Sequence, residues 1–151
     1  MRARGILAMG LLALAASGAA GCSTYHYYDI DVQMSTSGTG MFAPADEISR
    51  IQILVMTVTG ADQGQRQFGL GNGIPIPATG HLGVVEYSTF VDSGTLNFTI
   101  DAYDADNPQA ACKVGEGTMS MSATGNTTNT GMLTVDRLST ATFCCSMPSG
   151  C

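Results

Sequence analysis

The residues with the most chemical potential in this chain are its cysteines: Cys22, Cys112, Cys144, Cys145 and Cys151. The number is odd, so simple pairing leaves one thiol over. Joining the adjacent Cys144 and Cys145 would force a strained ring far from ordinary disulfide geometry. On an extended strand the two would point to opposite faces and serve different partners. A zinc centre needs cysteine and histidine ligands at short, regular spacing. The two histidines, His26 and His81, both lie far from any cysteine except Cys22. Cross-linking suits these cysteines better than metal binding.

The titratable residues offer less. Asp101, Asp104, Asp106 and Asn107 surround one turn, and clustered oxygen ligands of this kind can hold calcium. Pro108 stands where an EF-hand loop would need glycine, and no glutamate closes the loop, so solvated turn aspartates are the simpler reading. These four residues are weak calcium candidates, and no cofactor is expected. A small hydrolase would have to draw on His81, Glu47, Glu86 or Glu116, and no G-x-S-x-G nucleophile elbow is present. The run "GLGNG" (69–73) lacks the lysine of a phosphate loop, and Pro75 and Pro77 forbid the helix that should follow. Residues 60–80 read instead as a long Gly/Pro-rich loop carrying Phe68, Leu70, Ile74 and Ile76, a candidate partner-binding tip.

The elements that must position these residues are strands. Tyr28, Ile30, Val32 and Met34 alternate with Asp29, Asp31 and Gln33, the period of a half-buried strand. "ISRIQILVMTVTG" (48–60) is apolar on both faces and predicts a central strand. "HLGVVEYSTFV" (81–91), "SGTLNFTIDAY" (93–103), "VGEGTMSMSA" (114–123) and "MLTVDRL" (132–138) are further strands, and "TATFCC" (140–145) is a candidate last one. No helix is predicted beyond one turn at "PADEIS" (44–49). About seven short strands with regularly spaced turns predict an all-β fold, a single antiparallel β-sandwich. The succession over residues 95–138 resembles the later strands of immunoglobulin-like modules in exported bacterial proteins. That resemblance implies fold class only.

At the other end, "MRARGILAMGLLALAASGAAGC" has two arginines, an apolar stretch too short to span a membrane, and small residues running into Cys22. This resembles the lipobox signal of bacterial lipoproteins, with Ala19 in place of the usual leucine. The resemblance implies cleavage before Cys22, a diacylglyceryl group on its thiol and an acylated amino terminus. Two or more lipid chains anchor stably, each contributing about 0.8 kcal/mol per buried methylene. An ordinary signal peptide cut near Ala20 would instead leave Cys22 as a disulfide partner. On the lipoprotein reading, residues 1–21 are signal, 22–27 a lipid-anchored tether and 28–151 the domain. Ser23 does not resemble the family's inner-membrane retention signal, which implies the outer membrane where a cell has two. With Cys22 carrying lipid, Cys112, Cys144, Cys145 and Cys151 remain for two disulfides, in a compartment where disulfides persist. Cys112 would take one of the adjacent pair and Cys151 the other, fastening a chain end that would otherwise fray.

After the first 21 residues the basic side chains are Arg50, Arg66, Lys113 and Arg137, set against all twelve acidic residues. So few scattered cations cannot track a phosphate backbone, which excludes nucleic acid as a partner. They give no pull toward anionic lipid either, leaving the anchor to hold the membrane. The expected function is an exported, lipid-anchored envelope module without catalysis, with an envelope protein or glycan as partner. The alternatives are a calcium- or carbohydrate-binding module and, after that, a small hydrolase. The absence of tryptophan speaks against a sugar-stacking site.

Overall fold

The computed structural model describes residues 24–43, 47–69, 80–105, 107–125 and 128–143. Seven strands form in chain order: β1 (His26–Met34), β2 (Ile53–Gly60), β3 (Gly64–Gly69), β4 (His81–Thr89), β5 (Thr95–Tyr103), β6 (Lys113–Ser122) and β7 (Thr128–Arg137). Two single 3-10 turns, Ile48–Arg50 and Ala110–Cys112, precede β2 and β6. The strands join in the order β3-β2-β5-β6-β7-β1-β4.

Alternation dictates which side chains go inward. Tyr28, Ile30, Val32 and Met34 of β1 share one apolar cluster with Leu96, Phe98, Ile100 and Ala102 of β5, joined by Leu54, Met56 and Val58 of β2 and Leu133 and Val135 of β7. The Tyr28 and Tyr87 rings lie 6.0 and 5.8 Å from that of Phe98, so the two halves of the sheet fold over and face each other. The fold departs from an antiparallel sandwich in two respects, the first being that all seven strands belong to one continuous curled sheet. The second is that β1 pairs with β7 in parallel, from Tyr27 opposite Thr128 to Met34 opposite Val135, and the sheet is therefore mixed.

The sheet curls where β6 meets β7. Their ladder has only two rungs, Gly115 with Arg137 and Glu116 with Asp136. At Gly117 a Cβ would stand 2.3 Å from the Thr134 carbonyl oxygen, so only glycine lets the β7 backbone approach so closely. A strand with one wet face would alternate in burial. In β2, Ile53, Leu54, Val55 and Met56 are all buried, so both of its faces are covered there.

The segment read from sequence as one long loop contains β3. Its residues, "GQRQFG", are polar and flanked by glycines, which is the composition of a short edge strand. The candidate last strand is absent from its described part: Ala141 N–H donates back to the Leu138 carbonyl, and residues 141–143 make no ladder. Cys144 and Cys145 lie outside the described residues. Among the described residues no helix is long and apolar enough to cross a membrane.

The tail before those cysteines is held by two arginines. Arg137 Nε donates to both Glu47 oxygens, at 3.0 and 2.9 Å, while its other nitrogens reach the Leu138 and Ala141 carbonyls. Arg50 Nη2 donates to the Phe143 carbonyl. Both guanidinium groups lie over the Phe143 ring, at 5.7 Å for Arg50 and 5.5 Å for Arg137, and Phe42 meets the same ring edge-on. Cys112 is disulfide-bonded, and every other cysteine of the chain lies outside the described residues.

Candidate functional site

The two ends of the curled sheet, β3 and β4, approach each other through side chains, without hydrogen-bonding to one another among the described residues. Gly64, opening β3, sits against the Tyr87 ring, while Phe68 near its end shares a groove with Leu82, Gly83, Val84 and Val85. The two strands therefore run in opposite senses. Val32 and Leu54 complete that groove, whose volume is about 130 Å³. Its described lining side chains are all apolar, with glycine at Gly83, where φ is +115°. Among the described residues, the backbone groups on the outer edges of β3 and β4 have no strand partner. The seam thus offers both apolar contact and ladder positions.

One end of this seam is tied shut. The Tyr87 hydroxyl donates to Asp62 Oδ2 at 2.8 Å, and the Thr89 hydroxyl donates to the same oxygen. These bonds, Thr89 first, hold the Asp62 carboxyl below its ordinary value of 3.8, against an opposing effect of burial. Burial and the Asp62 carboxylate together push the Tyr87 phenol up to about 12. A β2–β3 turn is thereby fastened to the far edge strand. No sequence motif signals this, because Asp62 and Tyr87 are 25 residues apart.

Beyond the tied end lies a group of exposed aromatic rings. Tyr25 is 47 %, Tyr27 38 % and Phe90 51 % exposed. The Tyr25 and Phe90 ring centroids are 3.8 Å apart, and Tyr27 lies 6.4 Å from Tyr25. The final rung of the β1–β4 ladder, His26 with Thr89, brings these rings together from distant parts of the sequence.

The residues singled out from sequence are distributed as follows. Phe68 stands on β3, half-buried and packed against the core, so it belongs to the seam and not to a loop tip. Leu70, Ile74 and Ile76 lie outside the described residues, as do Cys22 and Asp106. Asp101 Oδ1 is 2.8 Å from Lys113 Nζ, and Lys113 also pairs with Glu116. Asp104 is buried and faces Arg50 Nη2 at 3.6 Å, while Asn107 is exposed. Asp101 and Asp104 are thus each committed to a different cation. Among the described residues no group of three or more histidine, cysteine, aspartate or glutamate side chains is placed to hold a metal. His81 Nε2 lies 2.7 Å from Asp31 Oδ1 in an exposed pair, and Glu47 is engaged instead with Arg137. Glu86 is exposed on β4.

No family model matches the chain, and no curated protein matches it. Among solved structures, the chain is similar to a DUF1812 protein from Bacteroides thetaiotaomicron that has been proposed to bind polysaccharide. The two share 10% sequence identity with a TM-score of 0.47, over 74% of this chain and 47% of the other. The chain therefore spans about half the length of that protein.

Proposed function

We propose that this protein is a lipid-anchored module of the bacterial cell envelope that binds an extended apolar segment of a protein partner in the β3–β4 seam, without catalysis. The observation that carries this reading is the seam itself: an apolar groove flanked by two edge strands whose outward backbone groups have no strand partner among the described residues. Strand addition to such an edge supplies affinity through main-chain hydrogen bonds and specificity through pockets for alternate side chains. The described groove lining holds no titratable side chain, so it suits binding rather than proton transfer. The tied end at Asp62 keeps the edges aligned, a form of preorganisation that lowers the cost of binding.

Anchorage rests on the lipobox-like run ending at Cys22, with an outer-membrane address in a two-membrane cell. An immunoglobulin-like kinship is supported by the two facing halves β4-β1-β7 and β6-β5-β2-β3, although the parallel β1–β7 pair departs from the all-antiparallel pattern. A second reading, glycan binding, is favoured by one observation: the exposed Tyr25, Tyr27 and Phe90 rings could stack on sugar faces.

Amide hydrogen exchange tests the main reading. Exchange from β3 and β4 should be slower in native envelope membranes than in detergent-purified protein, while β6 is unchanged. Equal exchange in the two preparations would refute it.

A further inference from the structure

The exposed aromatic group lies at one end of the β1–β4 ladder and close in sequence to Cys22. Tyr25 follows Cys22 by three residues, and a fully extended chain reaches at most about 3.6 Å per residue, or about 11 Å here. Whatever holds Cys22 in a bilayer must hold the backbone of Tyr25 within that distance of it. The headgroup zone on each face of a bilayer is about 5–8 Å deep. A tether of this length keeps the Tyr25 backbone within a few ångströms of the headgroup zone, close enough for the rings of the Tyr25–Phe90 stack to reach it.

The chemistry of the patch agrees with this placement. Tyrosine favours the interface because its ring is apolar and its hydroxyl is wet. Phe90 has no polar group to justify its exposure, and its ring packs closely on Tyr25 to make one continuous surface. The charged residues nearest these rings in sequence, Asp29 and Asp92, are acidic and give no attraction to anionic lipid. An uncharged or zwitterionic surface is the fitting partner.

We infer that Tyr25, Tyr27 and Phe90 form a foot that seats the domain on the headgroup region of the bilayer beside the lipidated Cys22. This inference rests on the anchored reading given above. It also orients the site. His26 and Thr89 mark the membrane end of β1 and β4, and the Asp62–Tyr87–Thr89 tie lies there too. Val32 and Gly83 pair six residues further along each strand, about 20 Å away at strand rise. The tied end of the seam faces the membrane, and its open groove is presented outward to a partner.

The chain contains no tryptophan, so a single substitution gives an unambiguous fluorescent reporter. Full-length Phe90→Trp, purified with its native acylation, would be reconstituted into phosphatidylcholine vesicles containing lipid quenchers placed near the headgroups. Tyr25→Trp serves as a second reporter of the foot. Met132→Trp, at an exposed position on β7, serves as the control. The expected result is quenching in the Phe90→Trp and Tyr25→Trp proteins several-fold stronger than in Met132→Trp. If both foot reporters stay unquenched in protein that floats with the vesicles, the foot is overturned and the anchor left standing. Protein that fails to float and has unmodified Cys22 would overturn the anchor, and the foot with it. A fluorescence response of Phe90→Trp to soluble envelope polysaccharide but not to vesicles would reassign the rings to glycan stacking and overturn the inference.

Discussion

The Tyr87 hydroxyl donates a 2.8 Å hydrogen bond to Asp62 Oδ2, linking the turn beside one edge of the sheet to the strand that forms the other edge. Thr89 donates to the same oxygen. This small cluster stands where a closed barrel would have a backbone ladder, and it lets the rest of the seam remain open. Replacing Asp62 with alanine should leave two donors without their acceptor. Because the site is partly hydrated, a loss of about 1 kcal/mol is expected, at the lower end for such groups. Urea denaturation would show it, and Tyr87→Phe should cost a similar amount.

The same cluster sets a pH dependence whose sign can be worked out. Asp62 has its folded-state pKa depressed below 3.8, so its contribution is complete above that value and is lost as pH falls through the lower folded value. Tyr87 has its folded-state pKa raised from 10.0 to about 12, so its contribution is complete below pH 10 and disappears as pH rises toward 12. Lys113 is raised above 10.5: burial lowers it, but its bonds to Asp101 and Glu116 outweigh that, so its contribution is lost only as pH rises through the raised folded-state value. Thermal melts should therefore show Tyr87→Phe losing less stability than the parent between pH 10 and 12. Parallel alkaline limbs for the two proteins would contradict this.

Gly117 is the position where the curl of the sheet depends on a missing side chain. A Cβ there would meet the Thr134 carbonyl oxygen at 2.3 Å and Leu133 Cδ2 at 2.6 Å. Gly117→Ala should cost about 1–3 kcal/mol through forced backbone displacement, measured by chemical denaturation. Gly125→Ala, where no described atom lies within 4 Å of the added carbon, should stay near the parent value.

Arg50 compensates the buried Asp104 carboxylate and also binds the Phe143 carbonyl and ring. Arg50→Ala removes all three interactions and leaves a buried charge without its cation. A loss of about 3 kcal/mol is expected, the lower part of the range for breaking a buried pair. The double change Arg50→Met with Asp104→Leu should recover much of it, since replacing both partners by apolar groups restores a uniform environment. No recovery would mean that the tail contacts, and not the buried charge, carry the cost.

Much of the strand pattern was legible because burial imposes a period of two. The alternations at Tyr28–Met34 and Leu96–Ala102, the buried Leu133 and Val135, and the doubly apolar β2 all follow from residue type. β3 escaped notice because an edge strand needs little apolar bulk: Gln65, Arg66 and Gln67 are exposed, and Phe68 alone packs inward. The parallel pairing of β1 with β7 escaped for a different reason, since pairing partners are chosen by the chain's path and leave no local trace. The same holds for the sites. Tyr25 and Phe90 are distant in sequence, and only the His26–Thr89 rung makes them a single surface. Asp101 and Asp104 looked like a shared cluster, yet strand geometry sends one to Lys113 and the other to Arg50.

The most direct test of the seam as a partner-binding site is position-specific photo-cross-linking in intact cells. Benzoylphenylalanine would be placed at Val84, which is 64 % exposed and lines the groove, and separately at Thr118, which is exposed on β6 away from the seam. A discrete protein adduct from Val84 that is absent from Thr118 is the predicted result. No adduct from Val84, or the same adducts from both positions, would contradict the assignment of the β3–β4 seam as the binding site.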